Sequence, residues 1–201
     1  MSAYPVMLDG ASLEALIVGG GSVAARKSAS LLAAGATVRV VAPEIDPAIA
    51  ASAGPRLTIE RRSYAAADIG NAMLVIAATS SRDVNARVAR DARDRGRLVN
   101  VVDAPEDGNC VSPATHRVGE LVIAVSAGRV PPVAARVRDC IAARFGDRYA
   151  LAVAELGALR SRLLAHGERE QWRRFADDVI DDRFCETVER GNLAERMAAW
   201  V

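Results

Sequence analysis

The sequence predicts an α/β protein, with a parallel sheet in its first part and a helical region after it. Up to about residue 125, short apolar runs alternate with segments of helical length, which is the pattern of a parallel sheet with crossover helices. From about residue 147 onward, apolar residues recur only at helical spacing among dense charges. A chain of 201 residues is long enough for one α/β domain and a smaller annex.

The first predicted strand runs from Leu13 to Val18 and ends in three consecutive glycines, Gly19 to Gly21. A helix is predicted next, from Ser22 to about Ala34, and Gly35 ends it. A strand, a glycine-rich turn and a helix in this order are what a dinucleotide-binding turn requires.

The spacing inside this turn fits the pattern G-x-G-x-x-A. Gly19 permits the tight turn, Gly21 lets the backbone approach a pyrophosphate, and Ala24 lets the helix pack closely on the strand. The amides that open the helix, at Ser22 and Val23, would face the phosphates. We therefore predict a Rossmann-like sheet that binds a dinucleotide. Other α/β proteins, including methyltransferases that bind a nucleoside, use similar turns.

The remaining elements of the sheet follow in order along the chain. Polar capping residues and glycines mark the helix ends, and β-branched runs mark the strands. We predict strands at Thr37 to Val41, Leu57 to Arg61, Asn71 to Thr79 and Leu98 to Val102, and a helix from Ser80 or Ser81 to about Arg95 that Gly96 ends.

An acidic residue roughly 20 residues after the glycines usually binds the ribose hydroxyls in such a fold. Glu44, which follows Pro43 at the end of the second strand, lies near that place. No arginine follows at once to bind a 2′-phosphate, so NAD is favoured over NADP, although Arg39 and Arg61 leave the choice open. The alternative for Glu44 is an exposed acid at a helix start.

Asp103 is the candidate catalytic residue. It closes the strand Leu98 to Val102, and the carboxyl ends of parallel strands line the ligand crevice. A carboxylate there can take a proton or orient a substrate nitrogen; the alternative is a structural Asp that ties down the following loop. The polar segment from Ala104 to Gly119 is predicted to be an irregular binding loop. Within it, His116 is predicted to be a surface histidine without a role.

A sixth strand is predicted at Leu121 to Val125, and a helix follows with Pro131 and Pro132 in its first turn. The helical annex from Asp147 to Val201 is predicted to pack against its own domain or a partner subunit. It could instead cover the crevice as a lid.

Composition excludes several functional classes. Lys and Arg number 26 and Asp and Glu 25, which argues against a general nucleic-acid binder. No apolar run approaches the ~20 residues of a membrane span, and the first ten residues do not resemble a signal peptide. The three cysteines form no C-x-x-C pair, and no metal-ligand spacing is visible, so we expect no bound metal and a reducing cytoplasm.

Over residues 4 to 145 the chain resembles the precorrin-2 dehydrogenase family, the dehydrogenase and ferrochelatase module of siroheme synthase. Motifs in the order and spacing of that family carry the resemblance. They are Val18-Gly-Gly-Gly-Ser-Val-Ala24 with Arg26-Lys27, Val41-Ala-Pro-Glu44, Ala77-Ala-Thr79, Asn100-Val-Val-Asp103 with Pro105, Pro113, and Gly119-Glu-Leu121 with Ala124-Val-Ser126.

The resemblance implies oxidation of precorrin-2 to sirohydrochlorin with NAD as hydride acceptor, and in some members insertion of ferrous iron. It further implies a homodimer built from an NAD-binding domain (1–112), a dimerisation and crevice segment (113–146) and a helical domain (147–201).

The resemblance also assigns roles to residues. Asp103 falls on the family's key carboxylate. The family's cofactor contacts fall on Ser22, Val23, Pro43 and Glu44. To these we add Gly19, Gly21 and Thr79 as cofactor contacts and Asn100 and Ser126 as substrate contacts, together with Arg117 and Arg129, which border the predicted crevice. The substrate carries eight carboxylates, and arginine is suited to bind them; Arg136 and Arg138 are further candidates beside Arg117 and Arg129.

The chain departs from the family pattern on the substrate side. Asn109-Cys110 stands where an aromatic is usual, Pro113-Ala114 replaces Pro-Ser, and the turn from Ser126 to Pro132 lacks several hydroxyls. Two alternatives stay open: a paralogue that acts on a related tetrapyrrole, and a non-catalytic NAD(H)-sensing module.

Overall fold

The computed structural model describes residues 3–128 and 130–200, which form two compact units, the first ending at Ser112 and the second beginning at Pro113. The first unit holds a five-stranded sheet in the order β3-β2-β1-β4-β5, with every neighbouring pair parallel. This confirms the predicted parallel α/β architecture. The strands are β1 (Glu14–Val18), β2 (Thr37–Val41), β3 (Leu57–Glu60), β4 (Leu74–Ala77) and β5 (Leu98–Val101).

Helices cover both faces of this sheet. The helices α1 (Ser22–Ala33) and α2 (Pro47–Ala51) pack on the face that carries Ile17, and α3 (Arg82–Asp94) packs on the face that carries Leu16 and Val18. The central strand β1 therefore has no solvent side, which explains why it reads as a continuous apolar run.

The predicted helix ends are confirmed. The Ser81 side chain accepts a hydrogen bond from the Val84 amide at 3.4 Å and so caps α3. Gly35 and Gly96, with φ of +92° and +66°, follow α1 and α3 in the left-handed region that glycine tolerates best.

An ion pair between an exposed arginine and a buried carboxylate fixes the edge of the sheet near β3. Arg62 donates to both carboxylate oxygens of Asp68, at 2.6 and 2.8 Å, and the Ala65 amide donates a third bond at 2.8 Å. Asp68 is 4% exposed. The hydrogen bonds from Arg62 hold the pKa of Asp68 below its ordinary value, against the opposing effect of burial. Arg39 of β2 contacts the same carboxylate at 3.8 Å and Glu60 at 3.4 Å.

The prediction of an irregular loop from Ala104 to Gly119 is wrong over its second half. A short 3-10 turn (Pro105–Asp107) is followed by the strand β6 (Ala114–Val118), which pairs antiparallel with β7 (Leu121–Val125). The strand predicted at 121–125 therefore exists, but it pairs with β6 in a separate two-stranded sheet and does not extend the parallel one.

The second unit joins this hairpin to five helices among its described residues. The helix α4 (Pro131–Arg144) packs on the hairpin and begins with the two prolines, as predicted. The helices α5 (Asp147–Ala165), α6 (Arg169–Val179), α7 (Phe184–Arg190) and α8 (Leu193–Ala198) share one apolar core, which includes Leu156 and Phe175. A further division between residues 146 and 147 stays a prediction. In the described ranges, no helix combines the length and apolarity needed to cross a membrane.

Candidate functional site

Three loops meet at the carboxyl edge of the parallel sheet, next to the point between β1 and β4 where the order of strand addition switches from one side of β1 to the other. In open α/β sheets this switch point is where ligands bind. The glycine turn follows β1, Pro43 and Glu44 follow β2, and Thr79 follows β4. Contacts between the loops are close: the Gly20 carbonyl accepts from the Asp46 amide at 2.7 Å, and the Gly19 amide donates to the Val41 carbonyl at 3.0 Å.

Two of the three glycines are required by this packing. A Cβ on Gly19 would lie 2.2 Å from the Ala78 carbonyl oxygen, and the residue has φ of +125°. A Cβ on Gly20 would lie 1.9 Å from the Glu44 carbonyl oxygen. Both contacts are shorter than any real Cβ contact, so a side chain at either position would force the loops apart.

Gly21 differs from its neighbours. Its backbone is extended, with φ of −84°, and a Cβ there would have no atom of the described residues within 4 Å apart from its two chain neighbours. The first intrahelical bond of α1 runs from the Ala25 amide to the Gly21 carbonyl, at 2.9 Å. The Ser22 and Val23 amides precede it and have no intrahelical acceptor. Together with the fully buried Ala24, this geometry fits a cradle for a pyrophosphate.

Glu44 is available to bind a ligand. The residue that caps α2 is Asp46, whose side chain accepts from the Ala48 amide at 2.8 Å, so Glu44 is not needed to begin that helix. The Glu44 side chain is exposed and makes no hydrogen bond or ion pair within residues 3–128 and 130–200. Arg39, by contrast, is engaged with Glu60 and Asp68.

A side chain that the sequence did not single out, Asn85 of α3, links Thr79 to Asp103. Its Oδ1 accepts from the Thr79 amide at 3.0 Å and the Thr79 hydroxyl at 2.8 Å. Its Nδ2 donates to the Thr79 carbonyl at 3.1 Å and to Oδ1 of Asp103 at 2.9 Å. Asn85 is fully buried, and these four bonds use the full capacity of its amide.

Asp103 itself is exposed and lies just beyond β5. Its Oδ1 is held by Asn85, while its Oδ2 accepts no hydrogen bond from the described residues.

One signal in the sequence could have identified Asn85. It is the polar member of an otherwise apolar stripe on α3, followed by Val88, Ala89 and Ala92 at helical spacing.

Asn100 is predicted to contact the substrate and is 8% exposed in β5. Its Nδ2 donates to the Cys110 carbonyl at 3.2 Å, so it fixes the chain segment that follows the sheet. Burial raises the pKa of the Cys110 thiol to about 11, which keeps the thiol protonated near neutral pH. Burial also lowers the pKa of Lys27, with a smaller contribution from Arg26.

The other predicted substrate residues belong to the second unit. Arg117 of β6 and Ser126 after β7 are exposed, and Arg129 lies outside the described residues. His116 is not an idle surface residue as predicted: it is half-buried, and its Nε2 lies 2.6 Å from the Phe145 carbonyl, which ties β6 to the end of α4. Among the described residues, no three His, Cys, Asp or Glu side chains are grouped to hold a metal ion.

A family model described as putative NAD(P)-binding matches residues 6–114, the part of the chain that contains the sheet and the glycine turn. The chain belongs to this family. A nicotinamide dinucleotide is therefore the cofactor class of the first unit, as the turn predicts.

Two siroheme synthases extend this likeness beyond the residues that the family model matches. The chain is 42% identical over 188 residues to a siroheme synthase of Pseudomonas putida, which covers 92% of this chain and 38% of that protein. It is 41% identical over 205 residues to the siroheme synthase of Chromobacterium violaceum, covering 98% of this chain and 43% of the relative. The chain thus spans about two fifths of the length of the curated relatives it matches.

A solved structure resembles the whole chain. It is that of SirC, a precorrin-2 dehydrogenase, with a TM-score of 0.78, 27% sequence identity and coverage of 98% of both chains. The resemblance to the dehydrogenase module of siroheme synthase, predicted from the sequence motifs, is confirmed by these relatives. The roles of individual site residues stay predictions.

Proposed function

We propose that the chain is a precorrin-2 dehydrogenase that converts precorrin-2 and NAD⁺ into sirohydrochlorin, NADH and a proton. One observation carries the proposal: a fixed carboxylate, Asp103, lies on the same edge of the sheet as an open glycine turn. The likeness to SirC and to siroheme synthases supports the choice of substrate.

NAD supplies the chemistry of a hydride acceptor when it is bound. We propose that the Ser22 and Val23 amides hold its pyrophosphate above Gly21, and that Glu44 binds a ribose through its hydroxyls. Gly19, Pro43 and Thr79 shape the surrounding turn. The choice of NAD over NADP is supported by the engagement of Arg39, which leaves no guanidinium of β2 free for a 2′-phosphate.

Loss of a hydride from the macrocycle must be accompanied by loss of a proton. Oδ2 of Asp103, which no described protein group occupies, is suited to accept that proton or to orient a pyrrole nitrogen. We assign the binding of substrate carboxylates to Arg117 and Arg129, with Ser126 and Asn100 as hydrogen-bond partners.

We further propose a homodimer in the cytoplasm. Exposed valines along α4 support the dimer, with Val133 48% and Val137 42% exposed. Three free cysteines are consistent with a reducing compartment.

The test is anaerobic incubation of the purified protein with precorrin-2 and either NAD⁺ or NADP⁺, following the absorbance of sirohydrochlorin and of the reduced nucleotide. We expect stoichiometric formation of both products, with NAD⁺ preferred. A protein that binds NADH but forms no sirohydrochlorin would be a sensor, and turnover of another tetrapyrrole alone would indicate a paralogue. Ferrous iron added to the same reaction tests siroheme formation.

A further inference from the structure

We infer that Asn85 is a positioning residue for the reaction: it holds one oxygen of the Asp103 carboxylate so that the other is presented to the substrate. The inference rests on the proposed function, because it assigns Asp103 a task on the macrocycle. It extends that function by adding a residue of α3 that acts through Asp103.

The placement of Asn85 is not explained by helix packing. It occupies the buried stripe of α3, where Val88, Ala89 and Ala92 pack against the sheet. Burying an amide is unfavourable unless its hydrogen bonds are replaced, and an apolar residue would suit this stripe better. All four replacements come from two residues at the carboxyl edge of the sheet, Thr79 and Asp103.

The bond to Asp103 restricts a side chain that would otherwise turn freely. Asp103 is exposed, and a solvated carboxylate without a partner samples several rotamers. The Nδ2 donor at 2.9 Å selects the rotamer in which Oδ1 faces α3, and Oδ2 is left without a protein partner.

The same amide fixes the turn after β4 beside the glycine turn. Its bonds to Thr79 order the residue whose amide nitrogen lies 2.9 Å from the position that a Cβ on Gly19 would take. Asn85 therefore fixes the position of the Asp103 carboxylate relative to Thr79, the residue that borders the glycine turn. A hydride and a proton must leave the same macrocycle, so a fixed relation between these two groups is what the reaction needs.

Asn85→Asp tests the donor while keeping the shape. The new carboxylate still accepts from the Thr79 amide and hydroxyl, but it loses the bond to the Thr79 carbonyl, and it can bridge to Asp103 only by sharing a proton that takes the negative charge from Asp103. We expect kcat to fall by about 10- to 100-fold, the scale of a misplaced catalytic group, while the affinity for NAD changes by less than about twofold. Should this variant fail to fold, Asn85→Ser, which is too short to bridge Thr79 and Asp103, carries the same expectation for kcat, and the affinity for NAD should fall as well because Thr79 is released.

The exchanged pair Asn85→Asp with Asp103→Asn keeps one carboxylate and one amide at the contact but moves the carboxylate from position 103 to position 85. It restores a donor and an acceptor across the contact, so its Tm should exceed that of Asn85→Asp. Its kcat should stay low, because residue 103 then carries an amide, which cannot accept the proton from the substrate.

Tyr64→Phe is the matched control. It removes another tertiary hydrogen bond of α3, from the Tyr64 hydroxyl to Asp91 at 2.9 Å, near the opposite end of the helix. We expect a lower Tm and a kcat within about twofold of the parent. A parallel loss of kcat in this control would mean that any weakening of α3 impairs turnover, and it would overturn the inference.

A readout without substrate keeps the inference separate from the proposed function. In ¹⁵N spectra, Asp103→Ala should move a side-chain amide proton signal of Asn85, whereas Asp107→Ala should not. If the parent fails to oxidise precorrin-2, the proposed function falls, and this spectrum still decides whether Asn85 holds the Asp103 carboxylate; an unmoved signal overturns that contact. If the parent is active and Asn85→Asp or Asn85→Ser keeps the parent kcat, the inference alone falls.

Discussion

Among the three glycines of the cofactor turn, Gly21 separates ligand binding from folding. A valine there has open space and an ordinary extended backbone, so Gly21→Val should keep the Tm of the parent. Its side chain would occupy the approach to the Ser22 and Val23 amides. We expect the affinity for NAD to fall more than tenfold, about 1.4 kcal/mol, measured by titration calorimetry.

Gly20→Ala is the contrasting variant, because its Cβ would lie 1.9 Å from the Glu44 carbonyl oxygen. This change should lower the Tm. Unchanged NAD affinity in Gly21→Val would contradict the cradle at the start of α1.

The Asp103 carboxylate can be tested by removing its charge alone. Asp103→Asn still offers an oxygen to Nδ2 of Asn85, so the fold and the NAD affinity should be retained. Turnover of precorrin-2 should fall about 100-fold or more, the scale of a lost general base. Asp107→Asn, a neighbour that pairs with Arg82 at 3.1 Å, serves as the control and should keep the parent rate. Parent-like turnover in Asp103→Asn would make Asp103 a structural residue.

At the residue scale, the sequence predicts those side chains that can be recognised from the residues next to them along the chain. The glycines and Asp103 are recognisable because strand, turn and helix signals fix where they stand. Asn85 was missed because its role depends on contacts with Thr79 and Asp103, 6 and 18 residues away along the chain. Asn100 and Cys110 meet across a gap of 10 residues, and composition alone does not reveal such pairs.

At the scale of elements, strong apolar periodicity made the parallel strands and the ends of α1 and α3 predictable. The strand β6 was not, because its half-buried positions Ala114, His116 and Val118 include a histidine that alternates with Thr115 and Arg117. Its pairing with β7 and the bond from His116 to the Phe145 carbonyl stabilise it instead. Tertiary context of this kind outweighs strand propensity.

The short turn Ala66–Ile69 should determine part of the acid sensitivity of the sheet edge. Its Asp68 has a pKa below the ordinary value because Arg62 binds the ionised form. The resulting stabilisation is fully present at neutral pH and is lost as the pH falls from about 4 through the folded-state pKa.

We therefore expect Asp68→Asn to lower the free energy of unfolding by about 1.5–3 kcal/mol at pH 7, measured by urea denaturation. The difference from the parent should shrink on acidification. Asp94→Asn, at an exposed carboxylate, is the control. A difference that is independent of pH would refute the ionic origin of the effect.

At the scale of the whole molecule, the proposed dimer accounts for an apolar surface that the described parts of the chain leave uncovered. Val133 and Val137 of α4 and Val130, just before the helix, recur at helical spacing and are 48%, 42% and 51% exposed. Burying such a stripe against a second copy is the usual reason for its presence in a chain whose charged residues are otherwise abundant.

The double variant Val133→Glu with Val137→Glu should convert the dimer into a monomer, because two buried carboxylates on each copy would lack partners. Light scattering at tens of micromolar, about the regime of a weak dimer, measures the change. Met73→Glu, at an equally exposed apolar residue (46%) of the first unit, should leave the mass unchanged. A parent that is already monomeric would refute the dimer, and a double variant that stays dimeric would place its interface on another surface than α4.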